Sequence, residues 1–360
     1  MTTVRVVGTG LLGTSIGMAL SAKGFRVQLH DTSPTSVALA RDLGAGEVGD
    51  EAADVVVVAT PPDVAASVVA QQLRDQPDAI VTDVASVKQT VLEELRGAVD
   101  GDALARYVGS HPMAGRERSG AVAARADLFE GRTWVVCPHE TTSDRARAAI
   151  DEIARAAGAS VVTMPAAEHD LAVAAVSHLP QVAASLVAAR LRDLPDDAVG
   201  LAGPGVRDVT RIAASDPLLW TQILAGNAAN LLPVLDAVAD DLDRVRAAVR
   251  AIGEGESAAT GARGVLAQTI ADGQTGHARL PGKHGAPPTA YASLIVVLPD
   301  RPRQLAQLFA DVGDAGINLE DLRIEHAVGA QVGLAELMVL PAALEPLQEA
   351  LTAAGWRLHS

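Results

Sequence analysis

Residues 4–31, VRVVGTGLLGTSIGMALSAKGFRVQLHD, decide how the chain folds. Val4, Val6 and Val7 make a short apolar strand, a glycine-rich turn follows, Ile16 and Leu20 carry a helix, and Val27 and Leu29 lead a second strand to Asp31. At the first strand–helix junction Gly8, Gly10 and Gly13 spell G-x-G-x-x-G. In that pattern the first glycine permits a tight turn, the second lets backbone approach a pyrophosphate, and the third lets helix pack on strand. An anion then sits on the helix N-terminus, at Leu11, Leu12 and Gly13, where free N–H groups and the dipole favour it. Asp31 is placed to accept ribose hydroxyls and to repel a 2′-phosphate, which points to NAD rather than NADP. The alternative is a glycine-rich turn that only packs closely, or a helix contact through Gly13 and Gly17.

Working outward, residues 54–60, 79–83, 105–109 and 133–137 read as further short apolar strands separated by helical or loop sequence. The fold class is therefore α/β, a doubly wound, mostly parallel sheet with helices on both faces. Ligands of such sheets bind beyond the carboxyl ends of the strands, so Thr60, Pro61, Pro62 and Asp83 are expected to line a cofactor. TDVASVK (82–88) and GSHPMAG (109–115) fall at the same edge. A loop histidine there, His111, beside a nicotinamide, takes a proton from a hydroxyl as hydride leaves. The competing role is a polar residue that caps a turn.

The pattern changes near Met164–Pro165, and residues 167–252 are helical in period. Residues 272–289 are dense in Gly and Pro and read as linker, and the rest gives strand, helix, strand, strand, helix, strand. The expected domains are 1–165 (dinucleotide-binding), 166–275 (helical), 276–289 (linker) and 290–360 (small α+β module). The apolar helices of 171–250 exceed what one sheet needs for cover, which suggests a homodimer joined by interlocked helices.

The 360 residues exceed one core, and the net charge of −15, with no basic run, argues against nucleic acid or anionic membrane as partner. A single cysteine, Cys137, forms neither an internal disulfide nor a paired metal site; it reads as packing, and no metal is expected. Val6–Leu20 resembles a signal-peptide core, but its glycines and the lack of a later membrane-length apolar run favour a cytoplasmic protein.

GSHPMAGRERSG (109–120), with TDVASVK before it and EHD (168–170), SHLP (177–180) and GVRDVTRIAASDPLLW (205–220) after it, resembles the prephenate/arogenate dehydrogenases of tyrosine biosynthesis. The C-terminal module resembles an ACT domain. The resemblance implies an NAD-dependent oxidative decarboxylation of prephenate to 4-hydroxyphenylpyruvate, or of arogenate to tyrosine. It implies that His111 accepts the proton of the ring C4 hydroxyl, that Ser86 orients this histidine and hydroxyl, and that Arg211 grips a substrate carboxylate. Loss of carbon dioxide then aromatises the ring, so no separate base is required. Glu117 matches an acid that gates the site, with a solvated surface carboxylate as the alternative. His178 matches a pocket histidine. Gln181 stands where relatives that take tyrosine as an active-site inhibitor often carry histidine, which puts that mode of feedback in doubt. In the last module Asp300, Arg301 and Asn318 lie where ACT domains bind an amino acid, which implies an aromatic amino-acid effector.

Two rivals remain open at this stage. β-Hydroxyacid dehydrogenases and imine reductases share a nucleotide domain followed by helices, but usually use a lysine that residues 166–250 do not contain. A non-catalytic sensor of NAD and an amino acid leaves His111, Ser86 and Arg211 unexplained.

Overall fold

The structure, a computed structural model, describes residues 1–115, 120–255, 259–281, 291–326 and 332–359. It comprises two compact units: 1–189 with 210–238, and 190–209 with 239–360.

In the first unit the elements are β1 (Thr3–Val7), α1 (Leu11–Ala22), β2 (Arg26–His30), α2 (Pro34–Asp42), β3 (Glu47–Val48), β4 (Val55–Val58), α3 (Pro62–Asp75), β5 (Ile80–Asp83), α4 (Gln89–Ala98), α5 (Gly101–Leu104), β6 (Gly109–Pro112), β7 (Thr133–Cys137), α6 (Asp144–Ala156) and β8 (Ser160–Thr163). Strands β1 to β5 form a parallel sheet in the order β3-β2-β1-β4-β5, with the reversal at β1/β4 that marks the binding crevice of doubly wound folds. All four valines of β4 are buried, Val55 and Val57 in one core with Ile16, Leu20 and Ile150, Val56 and Val58 in the other with Val69, Leu73 and Leu95. A central strand covered on both faces has no need of polar alternation, which explains the unbroken VVVV. Cys137 is buried in β7, as expected.

The edge beyond β5 departs from the expected single sheet. Residues 105–108 contribute one parallel bridge, Val81 to Tyr107, and the strand proper begins at Gly109. Strands β6, β7 and β8 form a second small sheet in which β6 runs antiparallel to β7. His111 is therefore a strand residue opposite Val135, not the loop residue expected.

The chain continues as α7 (Ala166–Val173), a π-helical turn at Ala174–His178, and α8 (Leu179–Leu191). Pro180 supplies no N–H for the carbonyl of Val176, and the backbone instead closes a wider turn from the Leu179 N–H to the Ala174 carbonyl. Residues 166–191 are long and apolar enough to cross a membrane by length and composition, which corrects the expectation that no such run follows the N-terminus. Their two sides differ: His169, Asp170, His178 and Gln181 are buried, whereas Leu171, Val176 and Leu186 are 58–69% exposed. Helices α9 (Asp196–Val199), α10 (Pro204–Thr210), α11 (Pro217–Gly226), α12 (Ala228–Gly253) and α13 (Ala262–His277) follow. Helix α13 includes Gly273 and Gly276, so the residues read as the start of a linker are its last turns; with Gly264 the helix carries three glycines, each costing about 1 kcal/mol of helix propensity relative to alanine.

In the second unit β9 (Ala292–Pro299), α14 (Gln304–Asp314), β10 (Asp321–His326), β11 (Val332–Val339), α15 (Leu344–Ala353) and β12 (Arg357–His359) form an antiparallel sheet ordered β10-β11-β9-β12. This is the split βαβ arrangement that the strand and helix order predicts. Leu308, Val312, Leu347 and Leu351 cover one face of that sheet.

Candidate active site

The crevice edge is built by the turn from β1 into α1. Gly8 has φ 97°, and a Cβ there would lie 2.4 Å from the carbonyl oxygen of Ala59. A Cβ on Gly13 would lie 1.9 Å from the carbonyl oxygen of Gly8. Gly10 is different: its φ is −75°, and a Cβ would meet nothing within 4 Å. The described residues do not require glycine at position 10, which fits a position kept open for a ligand to approach the backbone. No side chain caps α1 and no acid lies in its first turn, so the N–H groups of Leu11, Leu12 and Gly13 face no competing anion. Thr60 Oγ1, at the end of β4, is buried without a hydrogen-bond partner among the described residues. Pro61 caps α3 beside it. These features fit a dinucleotide.

Asp31 follows β2. Its Oδ2 accepts the Thr9 backbone N–H at 2.7 Å and the Thr9 hydroxyl at 3.0 Å, and Oδ1 accepts the Ser33 N–H at 2.9 Å. Burial raises its pKa, but these bonds outweigh burial and the net shift is downward, so the group is anionic. A carboxylate offers about four lone-pair sites, which leaves capacity for a ribose hydroxyl.

The glycines divide by experiment. Gly13→Ala is expected to lower thermal stability through a clash with backbone, whereas Gly10→Ala keeps the melting temperature and weakens NAD binding by roughly tenfold or more, because its new methyl occupies ligand space. Calorimetric melting and NAD titration check both, and equal NAD affinity in Gly10→Ala and wild type speaks against a pyrophosphate at this turn.

Below β5 lies a buried charged cluster. Asp83, wholly buried, is ion-paired with buried Lys88. It also accepts the Tyr107 hydroxyl at 2.7 Å and the Ala85 N–H at 2.9 Å. Burial, then the neighbouring Asp83 charge, pushes the Tyr107 phenol well above its usual range, so it stays a donor. The expectation that the Asp83 side chain touches a cofactor is corrected: it is enclosed by its own partners, because an unpaired carboxylate at zero accessibility is too costly to keep.

In β6 the side chains alternate. Ser110 points inward, donating to the Asp83 carbonyl at 2.9 Å and accepting from Thr82 at 3.0 Å, and His111 takes the opposite face. His111 Nδ1 lies 2.9 Å from His169 Nε2, and His169 Nδ1 lies 2.7 Å from Asp170 Oδ1. Asp170 is fixed in turn by the backbone N–H groups of Lys88 and Gln89, each at 2.8 Å. The carboxylate only accepts, so His169 Nδ1 carries a proton; with that single proton on the ring, Nε2 accepts and His111 Nδ1 donates. The free lone pair of His111 is left on Nε2. Burial, with smaller contributions from His169, Lys88 and His178, lowers the His111 pKa well below the ordinary imidazole range. Ser86 is half-buried, and among the described residues it makes no hydrogen bond to His111; His169 holds that ring instead. The sequence contained the EHD signal at 168–170 but not the pairing.

Asp170 also joins the helical residues. Asn227 Nδ2 donates to its carbonyl oxygen at 2.7 Å and lies 3.2 Å from His178 Nδ1. His178 packs edge-on against Trp220, with ring centroids 6.1 Å apart. Gln181, buried, accepts the Ser215 hydroxyl at 3.4 Å, which brings α8 beside the 3-10 turn Arg211–Ala214. Arg211 is exposed at the start of that turn. Glu117 lies outside the described residues. In the second unit Asp300 and Arg301 are exposed after β9, and exposed Asn318 donates to Glu320 at 3.1 Å.

Residues 16–163 match the family model described as the prephenate dehydrogenase nucleotide-binding domain, and residues 165–259 the one described as the prephenate dehydrogenase dimerization domain. A probable prephenate dehydrogenase of Streptomyces niveus, NovF, is 36% identical over 364 residues, covering 100% of both chains. Prephenate dehydrogenase from A. aeolicus, crystallised with hydroxyphenyl propionate and NAD⁺, has a similar structure at a TM-score of 0.63 and 27% identity, over 75% of this chain and 98% of that one. Synechocystis arogenate dehydrogenase gives a TM-score of 0.60 at 26% identity, over 76% and 99% of the two chains.

Proposed function

The chain belongs to the prephenate dehydrogenase family, and from that premise we propose that it oxidises prephenate, with loss of carbon dioxide, to 4-hydroxyphenylpyruvate; arogenate, giving tyrosine, is the alternative substrate. NAD⁺, when bound, supplies the hydride acceptor. Gly8, Gly10, Leu11, Leu12, Gly13, Asp31, Thr60 and Pro61 hold it. His111 Nε2 accepts the C4 hydroxyl proton, and the resulting imidazolium shares its charge through His169 with Asp170. Ser86 orients the hydroxyl, Arg211 takes a carboxylate, a task suited to a fixed guanidinium fork, and His178, Gln181 and Glu117 complete the pocket. The single observation that carries this reading is the His111–His169–Asp170 chain, which leaves His111 Nε2 as a neutral base.

The domain limits of 1–165, 166–275 and 290–360 belong to the same reading. So does a cytoplasmic homodimer, with the exposed apolar side of 166–191 covered by a second copy; the dimerization-domain match over 165–259 supports it. An aromatic amino acid acting at Asp300, Arg301 and Asn318 of an ACT-like module is the regulatory counterpart.

The deciding assay follows NADH absorbance with NAD⁺ and prephenate or arogenate, each with and without tyrosine. Turnover is expected with one or both substrates; silence with both, in protein that binds NAD, overturns the reading. The pH profile adds a second check. The base works unprotonated and its pKa lies well below 6.5, so kcat/KM stays level through neutral pH and declines only on the acid side of that value. For stability the sign is the same: below 6.5 the unfolded chain binds the proton that folded His111 refuses, so this site's contribution falls as pH drops. An acid limb at or above 6.5 shows that the base of the free enzyme lacks this downward shift.

A further inference from the structure

We infer that Asn227 is a positioning residue that fixes His178 as an Nε2–H donor, and so sets which atoms of a substrate His178 meets. Asn227 is 2% exposed. One amide atom lies 2.7 Å from the carbonyl oxygen of Asp170, and a carbonyl only accepts, so that atom is the nitrogen. The other amide atom accepts from Asn230 Nδ2 at 2.8 Å and is therefore the oxygen. Chemistry thus fixes both ends of the amide. The second hydrogen of the same NH₂ meets His178 Nδ1 at 3.2 Å. Nδ1 accepts it, and in the neutral ring the proton resides on Nε2. Burial and the edge-on packing against Trp220 hold that ring in place. One amide therefore ties the residue that orients the His169 relay to a histidine eight positions further along, across the π-helical turn.

The consequence rests on the functional reading above, in which His178 faces substrate. A ring with hydrogen on Nε2 donates to a carboxylate or keto oxygen and cannot accept from an ammonium group. The prephenate side chain offers only oxygens, whereas that of arogenate adds an ammonium, so Asn227 favours the keto acid.

Nitrogen-15 correlation spectra of full-length, histidine-labelled protein test the first step, with the His178 signals assigned by their loss in His178→Gln. The neutral Nε2–H tautomer is expected, and an Nδ1–H form overturns the inference. That measurement needs no turnover, so its failure is separate from failure of the functional reading, which is no NADH from either substrate. Asn227→Asp tests the second step, since a carboxylate beside Nδ1 moves the proton there and leaves Nε2 accepting. KM for prephenate is expected to rise about five- to tenfold, the loss of one hydrogen bond, with kcat within about twofold and kcat/KM shifted toward arogenate. Asn227→Ala removes the donor without adding charge, and serves where the new carboxylate beside Asp170 prevents folding; the same rise in KM and mixed His178 tautomers are expected. A fall in kcat with KM unchanged, in whichever variant folds, overturns the proposal.

Discussion

His111→Asn is expected to lower kcat by roughly 10²–10⁴-fold, the range for loss of a positioned general base. The choice of asparagine isolates the chemistry. Its amide nitrogen reaches toward His169 Nε2 as the imidazole N–H does at 2.9 Å, so the relay and the β6–β7 ladder keep their partners. What disappears is the lone pair on Nε2. NAD affinity and melting temperature should therefore hold while turnover collapses, and the residual rate should lose its acid limb. A variant that keeps its turnover within tenfold of wild type shows that the proton leaves by another route and that His111 is not the base.

The second large effect is on stability. Lys88→Met is expected to cost about 3–5 kcal/mol, measured by denaturant unfolding, because it strands the carboxylate of Asp83 in a site with zero accessibility. Tyr107 and the Ala85 N–H remain as donors but carry no charge to offset it. The double variant Asp83→Asn, Lys88→Met supplies the control: with both charges gone, most of the loss should return, since breaking a buried pair costs more than replacing it. Single and double variants of equal stability would show that Asp83 is solvated or protonated in the folded state. The variant also reads on the site, because the Lys88 backbone N–H is one of the two that fix Asp170, and movement there misaligns His169.

Strands β1, β2 and β4 and the glycine turn were legible because their apolar runs are local, in VRVV, VQL and VVVV, whereas the two-residue β3 at Glu47–Val48 carries too short a run to read. The C-terminal βαββαβ order was legible for the same reason. His111 and Arg211 were named from motifs, but the partner of His111 was not. His111 on β6 and His169 on α7 are 58 residues apart and meet only in the folded chain, and no one-dimensional pattern encodes that contact. Ser86 was assigned the partnership by the resemblance of its segment to the family's motif; the fold places His169 against the His111 ring. Asp83 misled because the end of a strand at the crevice edge suggests ligand contact, while β5 is buried on both faces and Lys88 and Tyr107 enclose that side chain. Lys88 sits in the same heptapeptide, yet its meaning depends on burial, which composition does not report.

The relay has a bearing on how such a chain could have been assembled from parts. The two family models abut at residues 163 and 165, and His111 falls in the first while His169 and Asp170 fall in the second. The compact unit ignores that seam and carries on to residue 189. A gene fusion that joined this nucleotide-binding module to some other helical partner would inherit the glycine turn and Asp31 complete, and with them the means to hold a dinucleotide. It would inherit His111 with nothing to orient Nδ1. On the proposed reading, exchange at this seam keeps the glycine turn and Asp31 but separates His111 from the His169–Asp170 pair that orients it.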